Sequence, residues 1–532
     1  MKRLPVVILA ALVFTIPAGS ALFADTGVVP GEGDEFVVSF LSGGIQLNPV
    51  HSYTSSEAQI YSGIYEGLVN YHPLTMEPVP AAAESWTVSD DGLVYTFTLR
   101  ENAVFSDGTP VTAEDFRATW FRLIDPEINA AYNFLFDVID GVREYRAGQT
   151  KNRDSVGIQA VDTRTLKVTL RNPATHFLRI LCHHAFVPLH PSLRRTDDWS
   201  SMTSLPVNGP YRITERTESH IVLDKNSRYW DAKSVKIPRI RILLTDENDA
   251  EKITDQFNRG LIDWVTGGMD LGTVQFPDTV VLNPLFATTY YFFRSDVEPF
   301  DNPKVRRALA LLLPWQEIRS DEIQFIPATT LVPEIPYYPR VSGITEPNVE
   351  EALELLKEAG YSRGVRIPTI EIHIPQGSES ARVAGLMKDA WEKHLELSVD
   401  ITVTPYPAYF DALSESDFTV GTVSWIGDFA DPLTFLQMWI SDSNVNDAGF
   451  SDPRYDALID DSMVLRGQER YNRLGQAEEI LLQTGTVLPV SHSPAINLID
   501  LNAVDGWYPN PLDIHPMKYF RFTEQAPLPG VI

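Results

Sequence analysis

Two aspartates, a glycine and a proline interrupt an otherwise apolar segment, VSWIGDFADPLTFL at residues 423–436. A carboxylate in such surroundings is tolerated only when hydrogen bonds or a cation compensate it. Asp428 either closes an Asx-turn after Gly427 or carries function. Three other side chains have the types of metal ligands, Cys182, His183 and His184 in RILCHHAF. Neighbours in a strand point to opposite faces, and no distant Cys/His pair stands at zinc spacing, so a metal site is not expected. TDENDAEKITDQ, from Thr245, is similar to a calcium loop, but Ala250 stands where that loop needs glycine, and the stretch reads as a helix start. No nucleophile elbow, phosphate loop, dinucleotide glycine fingerprint or HExxH occurs, so neither an enzyme nor a bound cofactor is expected.

The elements that must position Asp428 follow from periodicity. LVYTFTLR puts Tyr95, Phe97 and Leu99 on one face, and TLKVTLR does the same with Leu166, Val168 and Leu170, the pattern of half-buried strands. Between them Thr112 starts a helix over about 113–123, with Asp115 placed to imitate a capping box. The stretch 70–192 thus reads as an α+β lobe. Farther on, a helix over 349–359, a strand TIEIHI, a helix near 381–396, a strand near 399–404 and a strand DFTVGTVSW at the sheet edge alternate as in an α/β lobe. Asp428 follows the last of these, where open α/β sheets place their ligands.

Length and composition bound the rest. The 532 residues exceed what one core supports, so two or three lobes are expected, and 44% hydrophobic with 21% charged residues is the composition of a folded chain. Lys2 and Arg3, an apolar run to about Ile16 and small residues to Ala24 read as a signal peptide over 1–24; the run is too short to span a bilayer. With Cys182 the sole cysteine, the mature chain has no disulfide and no lipid-attachment site behind that leader. A soluble periplasmic protein is expected. Its net charge of -28, which becomes about -30 once Lys2 and Arg3 leave, opposes contact with nucleic acid or anionic lipid.

EAQIYSGIYEGL, then AAAESWTVSDDGLVYTFTLRENAVFSDGTPVTAEDF, NGPYRI with LDKNSRYWD, FDNPKVRRALA and finally WIGDFADPLTFL occur in the order found in one family. Over nearly all of its mature length the chain resembles the periplasmic oligopeptide-binding proteins of the peptide/nickel ABC-transporter solute-binding family. The resemblance implies an α/β, two-lobed periplasmic binding protein fold of the large type with an additional α+β lobe. By that analogy 25–69, 193–287 and 490–532 form lobe I, 70–192 the extra lobe II, and 288–489 lobe III. The function it implies is capture of oligopeptides between the lobes and delivery to an ABC-transporter permease, by a monomer. A nickel chelate, haem or saccharide is the alternative ligand within the family; a sensor or adhesin on the same fold is a third.

Residue by residue, the resemblance makes Asp428, at W-x-x-D spacing from Trp425, the partner of the ligand's α-amino group, a cation with a free pKa near ~8. Glu57, nine residues before Glu66, matches a carboxylate near the peptide's first residues, although a first-turn glutamate is also favoured by the helix dipole. Tyr132, seven residues after Asp125, matches a pocket tyrosine. Tyr406 falls where a pocket tryptophan is often found, and Gly267, Gly268 and Met269 on a loop whose backbone meets the peptide. Relatives that grip short peptides at both ends carry an arginine and a histidine where this chain has Thr422 and Ser380. The ligand's carboxylate end is therefore expected to be unclamped.

Overall fold

The alternating segments pair as their buried faces require. In the computed structural model, Val94–Leu99 and Thr165–Thr169 run antiparallel with Phe97 opposite Leu166, and Ala83–Val88 and Ile158–Ala160 flank them in a four-stranded sheet. The helix Ala113–Leu123 buries Phe116, Trp120 and Phe121. Such burial is worth about 1.5–3 kcal/mol per large side chain. Asp115 accepts from the Thr112 backbone N–H at 2.7 Å, completing the capping box read from the sequence.

The structure describes residues 35–523, apart from 42–44, 53, 129, 197–198, 200–201, 203, 321–325, 362–366, 396, 406–407 and 416. The expected signal peptide at 1–24 and Tyr406 lie outside the described residues. No helix among the described residues is long and apolar enough to cross a membrane.

Two larger sheets carry the remainder. One orders Val280–Pro284, Pro494–Ile499, Trp264–Thr266, Glu35–Leu41, Arg239–Thr245, His220–Lys225 and Tyr211–Arg216 side by side, with Glu35–Leu41 parallel to both its neighbours. The other orders Ile326–Pro327, Val487–His492, Ala287–Phe293, Val420–Ile426, Ile370–Pro375 and Val399–Thr404. The helix Ser378–His394 joins the parallel strands Ile370–Pro375 and Val399–Thr404, and Val383, Met387 and Trp391 on it share a core with Ile370, Ile372 and Ile374. Parallel neighbours need such a crossover. The strand expected at the sheet edge forms instead inside the sheet, between Ala287–Phe293 and Ile370–Pro375. Val420, Gly421 and Thr422 are buried there, and a Cβ on Gly421 would meet the Phe292 ring at 2.6 Å. The acidic stretch from Thr245 forms a 3₁₀ turn, Glu247–Asp249, leading into the helix Ala250–Asn258; the Asp246 carboxylate accepts from Asn248 N–H at 2.7 Å.

Candidate functional site

The segment that carries Asp428 is fixed before and behind it. In the strand Val420–Ile426, Trp425 pairs with Thr288 and Ile426 with Ala287, and the Gly427 N–H extends the ladder to the Phe286 carbonyl at 2.8 Å. Only glycine fits at 427, because a Cβ would lie 2.8 Å from the Phe286 ring and 2.9 Å from the Thr434 methyl. Beyond it Phe429, Leu433, Phe435 and Leu436 are fully buried and anchor the turn. The Asx-turn considered for Asp428 belongs to Asp431: its Oδ1 accepts from Leu433 N–H at 3.0 Å, and Arg470 grips both its oxygens at 2.7 and 2.8 Å.

Asp428 lacks that compensation. Its N–H donates to Thr434 Oγ1 at 2.8 Å, and the same hydroxyl donates to its Oδ2 at 3.2 Å. The side chain is 4% exposed, yet no lysine or arginine among the described residues pairs with it. The charged-type neighbour is His183, with Nε2 3.7 Å from Oδ1, beyond hydrogen-bond length. His183 Nδ1 accepts from Ala185 N–H at 3.2 Å, which assigns the ring proton to Nε2, facing the carboxylate. Burial, reinforced by His184, holds His183 well below the usual imidazole range, so it is neutral. Burial likewise pushes the Asp428 carboxyl up to about 7 against the opposing Thr434 hydrogen bond. The result is a buried acid poised for a cation that the protein does not supply.

His183 arrives from another part of the chain and by another route than a strand. The short helix Phe177–Ile180 is followed by a turn into the 3₁₀ segment His184–Phe186. The two imidazoles lie side by side with centroids 4.1 Å apart, and Tyr132 sets its edge against them at 4.3 and 5.2 Å. Alternation of faces, one of the two grounds for not expecting a metal site there, does not apply in a turn. Among the described residues no group of three or more His, Cys, Asp or Glu is arranged to hold a metal ion.

These groups wall a cavity of about 620 Å³ between residues 46–71, 131–132 and 182–187 on one side and 290–292, 410, 423–428 and 438–448 on the other. That is the size range of small-ligand sites. Of the residues singled out in the sequence, Asp428, Trp425 and Tyr132 line it together. Glu57 does not. Its Oε1 accepts from Gln46 and Leu47 N–H at 2.8 Å each, and Oε2 accepts from Oγ1 of Thr54, the N-cap of the helix Ser55–Ile64, so it ties the preceding loop to the helix start. Gly267, Gly268 and Met269 also lie off the lining. The glycines turn through φ +71° and +60°, close against Leu41, while Met269 packs on a small apolar cluster. Thr422 Oγ1 donates to the Tyr290 carbonyl and Ser380 Oγ to the Pro375 carbonyl, and neither lines the cavity.

Sequence reasoning missed several lining groups. No lysine or arginine is among the described lining residues, whereas a second carboxylate, Asp447, is. Tyr65 Oη, His184 Nε2, Trp425 Nε1 and Trp439 Nε1, all on lining residues, are buried without a hydrogen-bond partner among the described residues. Buried polar atoms are rarely left so unless a ligand or water completes them. Of these positions Trp425 stands out in the sequence by its spacing from Asp428 and His184 only as a metal-ligand type, while Tyr65 has no role of its own within EAQIYSGIYEGL and Asp447 and Trp439 sit in no motif.

Comparison with known proteins places this geometry. The sequence model of the bacterial extracellular solute-binding proteins, family 5, middle part, matches residues 77–447. The oligopeptide-binding protein OppA of Bacillus subtilis (strain 168) is 28% identical over 526 residues, covering 92% of this chain and 94% of its own. The structure of the Escherichia coli murein tripeptide binding protein MppA superposes with a TM-score of 0.83 at 26% identity, over 94% of this chain and all of the other. A structure of MppA described as an unliganded open form, at the same identity and coverage of 94% and 99%, reaches only 0.63. The lobes here are therefore arranged less like that open form than like the former.

Proposed function

The chain belongs to the bacterial extracellular solute-binding proteins of family 5, and from that premise we propose that it captures oligopeptides between its lobes for an ABC importer, with Asp428 anchoring the peptide's α-amino group. One observation supports the anchor above all others: a carboxylate 4% exposed, on a cavity wall, with Arg470 committed to its neighbour Asp431 and a neutral imidazole beside it. An incoming ammonium supplies the missing charge. Main-chain groups of an extended peptide would satisfy the orphaned indole, phenol and imidazole groups. The mechanism is closure of the lobes on the ligand followed by release at a permease. The expected site of action is outside the cytoplasm, as a monomer.

Within the family, the absence of lysine and arginine from the described lining disfavours haem, whose propionates would face Asp428 and Asp447 unpaired. A saccharide could donate hydroxyls to both carboxylates but would leave their charge uncompensated. The test is native mass spectrometry of protein purified without denaturant, followed by calorimetric titration with short free-amine peptides. Retained masses spread over many short peptides are expected; a single non-peptide molecule, with no heat from any peptide, would overturn the reading.

A further inference from the structure

We propose that Asp447 forms a second cation subsite in the same cavity, which takes a lysine or arginine side chain of the bound peptide and makes the protein selective for basic peptides. The proposal rests on the peptide reading above and deepens it by naming the substrate class.

Asp447 lies in the loop between the 3₁₀ segment Gln437–Trp439 and the helix Pro453–Val464, and it lines the cavity. Its carboxylate has no hydrogen bond and no ion pair within 4.0 Å among the described residues. Arg294 is the cation whose charge it feels, but that guanidinium forks onto Asp296 at 2.7 and 2.7 Å, lies over the Phe418 ring and does not line the cavity. Burial holds the Asp447 carboxyl up at about 6, the opposite of what a committed partner would do.

The wall beside it is aromatic. Trp439 packs against Tyr290 and Phe292 with ring centroids 5.7 and 6.1 Å apart, and all three line the cavity. Tyr290 is close enough that the Asp447 charge, after burial, helps to raise its phenol. An acidic group alone would not make a site. Trp439 adds an independent sign of a ligand: it is 3% exposed, yet its indole N–H has no partner among the described residues. A carboxylate at the end of an aromatic wall suits a long basic side chain, whose stem packs on the rings while its head takes both the ion pair and the cation–π contact. The indole N–H then finds a peptide carbonyl. A peptide with a free amino end and one basic side chain brings two positive charges to a cavity with two uncompensated carboxylates; an acidic side chain would be repelled.

Calorimetry with tetra-alanine, and with Lys, Gln, Glu or Nε-acetyl-lysine placed in turn at its second, third and fourth positions, tests this. At one position or more, Lys should bind at least about tenfold tighter than Gln, and Glu weaker than Gln. Nε-acetyl-lysine should lose the gain on the unaltered protein. Asp447→Asn should bring Lys within about threefold of Gln. The acetyl-lysine arm needs no variant, so a folding defect in Asp447→Asn cannot mask the answer. If tetra-alanine binds but Lys and Gln are equal at every position, or if Asp447→Asn keeps the full Lys preference, the subsite is wrong and the peptide reading stands. If no peptide of the set binds, the peptide reading itself falls and takes the subsite with it.

Discussion

Replacing Asp428 with Asn should push affinity and stability in opposite directions. Asn keeps the shape and an oxygen for Thr434 Oγ1, which now donates to Oδ2 at 3.2 Å, but leaves a bound ammonium facing a neutral amide. Losing one partner of a buried charge pair costs about 2–5 kcal/mol, roughly 30-fold to a few thousandfold in affinity. Without ligand the sign reverses. The folded carboxyl sits at about 7 against an ordinary 3.8, so the wild type loses stability as pH rises from about 4 to 7. The full loss corresponds to about 4 kcal/mol at most, and Asn does not incur it. Ligand-free Asp428→Asn should therefore unfold at higher denaturant than the wild type at pH 8, and the difference should shrink towards pH 4. Acetylating the peptide's amino end removes the same pair from the other side, so the two changes together should cost much less than their sum. Calorimetry on the four combinations and denaturant titrations at two pH values decide the matter. A variant that binds free-amine peptides like the wild type and is less stable at pH 8 would refute the reasoning.

The same pair predicts a narrow pH range for binding: the wild type should weaken below about 7, as Asp428 takes up a proton, and above ~8, as the amine loses one, with the acid limb missing in Asp428→Asn. Glu57→Ala orphans the buried Leu47 N–H and returns the exposed Gln46 N–H to water, and should cost about 1–3 kcal/mol in chemical denaturation with ligand affinity unchanged within about threefold. Gly268→Ala forces a side chain into φ +60° with its Cβ 2.7 Å from Leu41 Cδ2, for about 1–2 kcal/mol of lost stability visible as a lower Tm. Asp431→Asn strands the Arg470 guanidinium, buried with it, and should destabilise by about 3–5 kcal/mol, opposite in sign to Asp428→Asn without ligand at pH 8.

Local regularities were legible and cross-chain ones were not. Alternation in LVYTFTLR and TLKVTLR gave both strands, and the spacing of Thr112 and Asp115 gave the helix start, because each is decided by neighbours within a few residues. The place of Asp428 beyond a strand end was readable for the same reason. Which aspartate of the pair would be neutralised was not, since Arg470 lies 39 residues on from Asp431. Nothing in the sequence could aim His183 at Asp428, 245 residues away. Glu57 carried two compatible readings, and the backbone N–H groups of its own loop claimed it. Gly267 and Gly268 are explained by left-handed backbone and the approach of Leu41. Asp447 sits in SNVNDAGF, a polar run that reads as an ordinary loop until the aromatic wall folds against it.

The sole cysteine stands in the same enclosure. Cys182 lines the cavity one residue before His183, its thiol weakly bonded to the Leu178 carbonyl at 3.5 Å and kept protonated by burial. A thiol so placed should react slowly with an alkylating reagent while the lobes are together, and faster once they part. The protein thus carries its own clock for the opening motion: maleimide consumption, followed by mass, converts the frequency of opening into a labelling rate, without an engineered cysteine or a second label to confuse the count.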